Sequence, residues 1–388
     1  MIQSVMQMEI LELPLRDSHL RLGATMSEHN GWSVPESYGD VLLEYAEVRD
    51  GGCGVIDLSS RGRMLVSGTE AVQFLNGLIT NDMKTLALNN WMSAAFPNVQ
   101  GRLIASVRVA RLKDEGTDKN VSPVFLIDTE AATHERVLKT IERFTLAGDF
   151  RVTEVTNQTA QFSVKGSKAA DLVRATLGDG AADLLPKQSI QIAWPRSDHD
   201  GAGTDDGTNS LIVMRESDAS VDGFDFVVNA DQAGSLWEAM LNAGARPVGY
   251  AALEILRIEA GEPRYGVDMD ETNVVTETGL DDAVSYTKGC YVGQEIIARI
   301  KYRGHVAKKL TGITFEQPVK VEVGATIQSA DGKEAGRITS VTSSPRLGRT
   351  IALAYLKYDY LAAGTSVKVI SGTEVFEARV TELPFVRA

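Results

Sequence analysis

Residues 288–310 read KGCYVGQEIIARIKYRGHVAKKL and combine one cysteine, three glycines and a basic segment. Ile296, Ile297 and Ile300 recur at the spacing of one helix face. Gly304 follows the last of them and is a residue type that commonly ends helices. The second half of this stretch is therefore predicted to be a helix that ends at Gly304.

The first half of the stretch surrounds Cys290 with small residues. Gly289 and Gly293 allow the chain to turn into the helix, and Thr287 is a possible N-cap. A thiol at a helix N-terminus, with Lys288 nearby, would favour the reactive thiolate. The alternative is a buried, unreactive cysteine in a tight helix entry, since free cysteines are usually buried.

The motif KGCYVGQE, followed by ARIKYRG, resembles the signature of the YgfZ family. These proteins are folate-binding relatives of the glycine-cleavage T-protein that support iron–sulfur enzymes. Other segments occur in the order of that family: GRMLVSGTEAVQFLNGLITNDM at 62–83, NVQGRLIASVRV at 98–109, LRIEAGEPRYGVDM at 256–269 and ARVTELPFV at 378–386. The resemblance thus spans nearly the whole chain.

The resemblance implies an α+β, multidomain T-protein/YgfZ-like fold with mixed sheets and helices plus a C-terminal antiparallel β-barrel. We expect a folate-binding core of two interleaved α+β subdomains at 1–305 and the barrel at 306–388. Beyond Leu310, short alternating runs separated by glycines independently predict a small antiparallel barrel or sandwich. Val319–Val323 is one of these predicted strands.

The function implied by the resemblance is that of a folate-binding accessory protein that uses tetrahydrofolate or a related folate. Its expected partners are iron–sulfur enzymes, including those that modify tRNA, or cluster-assembly proteins. Cys290 is the implied chemically active group. The candidate folate contacts are Arg257, Lys288, Tyr291, Gln294 and Arg299. For Arg257, an ion pair with Glu254 or Glu259 is the alternative.

Two segments depart from the T-protein pattern. In T-proteins the turn at Gly101 is followed by paired aspartates, one of which is thought to assist attack by the folate amine. Ala105 and Ser106 stand at those positions here, and neither accepts a proton at neutral pH. Val221 and Asp222 stand around the position of a glutamate that is expected to recognise the pterin. A tetrahydrofolate-dependent aminomethyltransferase is therefore the alternative function, and a pure interaction scaffold is a third.

A local positive patch lies in and after the motif. It could hold the glutamate tail of a folate, or a phosphate, through charge-assisted hydrogen bonds. A solvated helix face is the alternative. The patch consists of Lys288, Arg299, Lys301, Arg303, His305, Lys308 and Lys309.

Composition limits the remaining classes of function. The net charge of −13 argues against a general nucleic-acid-binding surface. No apolar run approaches the ~20 residues that a membrane helix needs. With only two cysteines and no secretory leader, a cytoplasmic location is expected, and Cys53 is predicted to be a small buried residue. The Asp-rich segment 197–210 lacks the spacing of a calcium loop and is predicted to be an exposed loop.

Overall fold

The protein is described here by a computed structural model that covers residues 10–116, 121–143, 145, 148–194, 210–217 and 221–387. The predicted loop at 197–210 lies almost entirely outside these residues. Before residue 304 the strands are β1 (Leu11–Glu12), β2 (Thr25–His29), β3 (Trp32–Ser37), β4 (Gly54–Asp57), β5 (Gly62–Ser67), β6 (Asn90–Pro97), β7 (Leu103–Glu115), β8 (Ser122–Thr129), β9 (Arg151–Glu154), β10 (Thr159–Lys165), β11 (Ser189–Ala193), β12 (Ser210–Ser217), β13 (Asp222–Asn229) and β14 (Arg246–Pro247). The helices are α1 (Arg16–Arg21), α2 (Val41–Arg49), α3 (Ala71–Leu78), α4 (Ala131–Glu142), α5 (Ala169–Leu177), α6 (Asp179–Ala182), α7 (Ala233–Asn242), α8 (Tyr250–Ala260) and α9 (Gln294–Arg303).

Two large sheets form the N-terminal part of the molecule. One has five strands in the order β6-β7-β8-β5-β9, and the other has six in the order β11-β12-β13-β10-β4-β14. A small sheet, β1-β3-β2, accompanies them. Each large sheet has its own apolar core, and a smaller cluster of side chains from β7, β8, β12 and β13 packs between them. The predicted mixture of sheets and helices is confirmed.

Strand β7 places every second side chain in the apolar core of its sheet and the others on the opposite face. Side chains alternate along a strand, so successive residues point to opposite faces. Ala105, Val107 and Val109 are buried in the core formed with α3 and α4. Ser106 and Arg108 therefore project from the other face of the same strand. Of the two positions that carry aspartates in T-proteins, only the second faces away from the apolar core.

The C-terminal part is a closed six-stranded barrel, as predicted, in the order β15-β18-β17-β16-β19-β20. Its strands are β15 (Lys308–Phe315), β16 (Thr326–Ser329), β17 (Glu334–Ser344), β18 (Arg349–Lys357), β19 (Ser366–Ser371) and β20 (Glu374–Thr381). The predicted strand at Val319–Val323 is wrong. The backbone amides of Val319 and Glu322 donate to the hydroxyls of Thr350 and Ser371, so side chains satisfy them in place of a neighbouring strand.

Helix α8 joins the barrel to the rest of the molecule. Ile258 packs against Leu310, Ile351 and Leu353 of the barrel. The buried carboxylate of Glu259 accepts hydrogen bonds from Ser344 Oγ in the barrel (2.5 Å) and from a tyrosine hydroxyl in α2. These contacts hold α8, which forms part of the wall of the cavity described below, against the barrel. In the residues that the structure describes, we find no helix with both the length and the apolar character required to cross a bilayer.

Candidate functional site

A cavity of about 910 Å³ lies among the two large sheets, α8 and the barrel. Its volume falls in the range of pockets that hold small organic ligands and cofactors. The wall is rich in charge, which suits a ligand with several polar groups. The residues that line the cavity include Arg61, Ser106, Arg108, Glu130, Ser163 and Asp225.

Arg108 lies at the centre of a charged cluster in this wall. Its guanidinium binds Asp128 from β8, Glu216 from β12 and Asp225 from β13, the last at 2.7 Å. Arg61 also binds Asp128, at 2.7 Å. Burial alone would raise the pKa of Asp128, but Arg108 and Arg61 lower it to about 2. Asp128 is therefore ionised at any ordinary pH, and Arg108, which binds Asp128 in its own sheet and Glu216 and Asp225 in the other, links the two sheets.

Glu130 is a second carboxyl group of interest in the cavity wall. The register of β7 with β8 ends at the pair Val107–Thr129, and Glu130, the next residue after β8, lines the cavity together with Ser106. The carboxylate accepts a hydrogen bond from the backbone N–H of Tyr265 at 3.1 Å. Burial raises the pKa of Glu130, although Arg61, this amide and two further arginines act in the opposite direction. A carboxyl with a raised pKa in a cavity has the character of a general acid or base.

Sequence reasoning missed Glu130. Ala105 and Ser106 do lack a carboxylate, but the neighbouring strand brings one to the Ser106 side of the cavity. The prediction that positions 105 and 106 supply no carboxylate stands, and Glu130 lines the same cavity as Ser106. No local motif marks Glu130, since its position depends on the pairing of two strands more than twenty residues apart.

The motif loop between Ser285 and Gly293 is anchored by Lys288. This side chain is buried, and Nζ donates to the carbonyl oxygens of Asn76 (2.7 Å), Ile79 (2.9 Å) and Asn81 (2.5 Å) around the C-terminal end of α3. Burial lowers the pKa of Lys288 to about 8. Its three N–H donors are thus engaged by backbone, which gives this predicted folate contact a structural role.

Gly293 fixes the other end of the loop. It has φ of +77°, which favours glycine. A Cβ there would lie 2.4 Å from Asn98 O and 3.0 Å from Gly101, so the loop touches the β6–β7 turn through backbone. Helix α9 begins at Gln294, after Gly293. The predicted N-cap at Thr287 is therefore wrong, because this contact holds the preceding residues outside the helix.

Cys290 is exposed in the motif loop. It precedes the first helical residue by four positions, so the prediction that its thiol lies at a helix N-terminus is wrong. The alternative of a buried thiol is wrong as well. Cys290 is also absent from the wall of the cavity as the structure describes it. Cys53 is buried, as predicted, and burial, aided by Glu47, raises the pKa of its thiol to about 12.

Arg257 lines the cavity, but its donors are used within the protein. The guanidinium contacts Glu254 through Nε and Nη2, Asp268 and the Glu262 carbonyl through Nη1, and Ser340 Oγ through Nη2. These contacts account for all five N–H groups of an arginine. The predicted pairing with Glu254 is present, and Arg257 ties α8 to the barrel.

The other predicted contacts lie outside the cavity wall as described. Tyr291 is buried beneath the motif loop, with Lys288 Nζ 5.0 Å from its ring centroid. Gln294 is half-buried, and Arg299 is exposed on α9. Of the predicted positive patch, Lys309 lines the cavity and binds Asp281 at 3.1 Å. The structure therefore does not gather the predicted folate contacts around one ligand.

Comparisons with known proteins agree with this architecture. Residues 15–288 match the GCVT N-terminal domain, and residues 308–387 match the glycine cleavage T-protein C-terminal barrel domain. The chain is 29% identical to an aminomethyltransferase of Thermotoga neapolitana over 378 residues, covering 96% of this chain and 97% of that protein. It is also 29% identical to an aminomethyltransferase of Symbiobacterium thermophilum over 389 residues, covering 97% of each.

A solved structure shares the fold over its full length. The glycine cleavage system aminomethyltransferase T from Bartonella henselae matches with a TM-score of 0.83 and 22% sequence identity. The match covers 97% of this chain and 98% of that one. Both sheets, α8 and the barrel are therefore parts of one known arrangement.

Proposed function

The chain belongs to the glycine cleavage T-protein family, and from this membership we propose that it is a tetrahydrofolate-dependent aminomethyltransferase. Tetrahydrofolate is the substrate of this family. The relatives reported above carry the name aminomethyltransferase and match along nearly their whole length. The proposed reaction transfers the methylene carbon of an S-aminomethyl carrier to two nitrogens of the folate and releases ammonia and the free thiol of the carrier.

The cavity fits a reduced folate in size and in chemistry. About 910 Å³ is enough for a ligand with a fused ring, an aromatic linker and a carboxylate tail. Lys187 and Lys309 line the cavity in surface ion pairs with Asp282 (3.2 Å) and Asp281 (3.1 Å), and a carboxylate tail that binds them replaces these aspartates. Ser163 Oγ and Asp225 Oδ1 are buried polar atoms of the wall that have no hydrogen-bond partner among the described residues. Such atoms fit a ligand that brings its own polar groups.

The single observation that carries the catalytic proposal is Glu130 beside Ser106. In one displacement a folate amine forms a bond to the aminomethyl carbon and gains positive charge while the C–N bond to the carrier's amine breaks and ammonia leaves. In the other, the second folate nitrogen displaces the carrier thiol, and the protons of the two folate N–H groups end on the ammonia and the thiol. A carboxyl with a raised pKa can give a proton to the leaving nitrogen and, once ionised, stabilise the charge that develops. We assign this role to the Glu130 carboxyl. Arg108 and Arg61 lower the pKa of the neighbouring Asp128 to about 2, so Asp128 does not compete for the proton.

The thiol motif favours a second candidate function. In this second candidate function, the chain is a YgfZ-type folate-binding protein that supports iron–sulfur enzymes, with Cys290 as its active group. The observation in its favour is the exposed Cys290 between two buried anchors, Lys288 and Tyr291. A Cys290→Ser variant that restores iron–sulfur enzyme activity in a deletion strain as well as the wild type would remove this candidate.

Calorimetric titration of tetrahydrofolate into the full chain tests the proposal. We expect saturable binding to one site per chain. Binding must be followed by formation of methylene-tetrahydrofolate when an aminomethyl-lipoyl carrier protein is added. Binding without product formation would leave the YgfZ-type function as the better candidate, and no binding would overturn both.

A further inference from the structure

A second cavity, of about 520 Å³, lies between the two large sheets. Most of its wall comes from β5, β7 and β8 of one sheet and from β11, β12 and β13 of the other. Among the described residues, none lines both this cavity and the central cavity of the candidate site. Its volume is typical of pockets for small molecules and is far larger than the voids that imperfect packing leaves.

The two cavities lie at opposite ends of one interface between the sheets. Residues two apart on a strand share a face and lie about 7 Å from each other. On β8, Leu126 lines the second cavity, and Asp128 binds Arg108 beside the central cavity. On β13, Val227 lines the second cavity, and Asp225 also binds Arg108. Leu126 and Val227 belong to the apolar cluster between the sheets, so this cluster separates the two cavities.

The floor of the second cavity is apolar and accessible to a ligand. Leu112, Val124 and Ile212 line it, and each keeps 7% of its surface exposed. Leu65, on β5, also lines it and is only half-buried. A ligand that covers these carbon atoms removes apolar surface from water, which favours its binding.

The rim of the second cavity determines how polar its ligand can be. Gln158 and Gln191 are exposed there, and each side-chain amide offers hydrogen-bond donors and an acceptor. The two charged residues of the rim, Lys113 and Asp231, have opposite signs, and Lys113 already binds Glu115 at 2.6 Å. The rim therefore offers hydrogen bonds without a net charge. An ion would lose its hydration over the apolar floor without a compensating partner.

We propose that the second cavity is a binding site for a small, uncharged amphipathic molecule. An apolar ring or branched chain of the ligand lies between the sheets, and an amide or hydroxyl group of the ligand binds the glutamine amides at the rim. This site is separate from the proposed function, and its test uses no folate.

Two probes that differ in one group test the assignment. N-acetyltryptophanamide is uncharged, whereas N-acetyltryptophan has the same ring and carries a carboxylate. Each probe is titrated into the full chain with isotope-labelled isoleucine methyl groups, and the methyl signal of Ile212 in the magnetic resonance spectrum reports binding. Ile313, in the core of the barrel, provides the control signal.

We expect the amide to shift the Ile212 signal to saturation and to leave Ile313 unchanged. A ligand of its size in a fitting cavity binds with a Kd on the order of 100 µM. The acid should bind about 10-fold more weakly, because its charge must be desolvated. Gln191→Leu should weaken binding of the amide about 5-fold, for the loss of one hydrogen bond.

A variant that fills the cavity provides the second measurement. Leu65→Trp places a larger ring in the space between the sheets and should abolish binding of the amide. Leu88→Trp is the matched control, because Leu88 is exposed and is not among the described lining residues of either cavity. It should bind the amide as the wild type does.

Four results would overturn the assignment. They are an Ile212 signal that millimolar amide leaves unchanged, equal affinity for the two probes, wild-type affinity in a folded Leu65→Trp, and a wild-type dimer that Leu65→Trp converts to a monomer in sedimentation. The last result would show that a second copy of the chain fills the cavity. The two wild-type titrations decide the matter even if Leu65→Trp does not fold.

Discussion

Glu130 and Ser106 line the same central cavity, Glu130 at the point where β8 ends and α4 begins, one residue beyond the pair Thr129–Val107. This relationship supplies a carboxylate where the local sequence has none. It joins the two halves of the proposed function, because the cavity proposed to hold the folate also carries the carboxyl proposed to move the proton.

The stability of a Glu130→Gln variant should depend on pH in a defined direction. The folded state raises the pKa of Glu130 above its ordinary value of 4.5, so its contribution to stability is greatest below pH 4.5 and is lost as the pH rises through the folded value. Glutamine stays neutral throughout. We expect a higher Tm than wild type at pH 8, with the difference closing near pH 4, measured by thermal unfolding.

Glu135→Gln is the matched control for that measurement. Glu135 lies exposed on α4 and pairs with Lys139, and the hydrogen bond and charge of Lys139 lower its pKa. Its substitution should give no gain in Tm at pH 8. An equal gain in Tm for both variants would show that the gain comes from the removal of any negative charge and not from the burial of Glu130 in the cavity.

Replacement of Lys288 by methionine should destabilise the protein. Three backbone carbonyls around the end of α3 would lose their donor, and leaving buried acceptors unsatisfied costs on the order of 3 kcal/mol. Urea unfolding measures the change. Lys301→Met is the control, because Lys301 lies on the surface beside the ring of Tyr286 and its loss should cost less than about 1 kcal/mol. Equal midpoints for the two variants would contradict the anchoring role of Lys288.

The two cysteines should differ sharply toward a thiol reagent such as Ellman's reagent. Cys290 is exposed, whereas Cys53 is buried with a pKa of about 12. The native wild type should therefore release one equivalent of product rapidly, and Cys290→Ser none until denaturant is added. Rapid reaction of the native Cys290→Ser variant would contradict the burial of Cys53.

Arg257→Met should lower stability more than it lowers folate affinity. The substitution leaves the buried carboxylate of Asp268 without its arginine, and breaking such a pair costs about 3–5 kcal/mol. Urea unfolding and calorimetry on the folded variant separate the two effects. The exposed Arg299→Met serves as control and should change neither. Normal stability with a tenfold loss of affinity would restore Arg257 as a folate contact.

Local sequence signals predicted the features that depend on neighbouring residues. The end of α8 at Gly261, which has φ of +76°, and the end of α9 before Gly304 follow from glycine after a helical pattern. Five of the six barrel strands follow from short alternating runs. The sixth, β16 (Thr326–Ser329), was missed, and a strand was placed at Val319–Val323 instead, because apolar alternation does not reveal which amides will find side-chain partners.

The site was harder to predict because its parts are distant in sequence. The beginning of α9 is set by the approach of Gly293 to Gly101, a contact across almost two hundred residues. Glu130, Ser163 and Asp225 reach one cavity through strand registers that no single segment encodes. Cys290 drew attention through its motif, yet the motif loop lies outside the cavity wall as described.

The most direct test of the central claim is single-turnover formation of methylene-tetrahydrofolate from an aminomethyl-lipoyl carrier protein, with folate saturating. Loss of a general acid or base typically reduces a rate by about 100- to 10,000-fold, so we predict a fall of that order for Glu130→Gln with little change in folate affinity. Ser106→Asp combined with Glu130→Gln should recover part of the rate, because it returns a carboxylate to the same wall. A Glu130→Gln variant that turns over at the rate of Glu135→Gln would contradict the account.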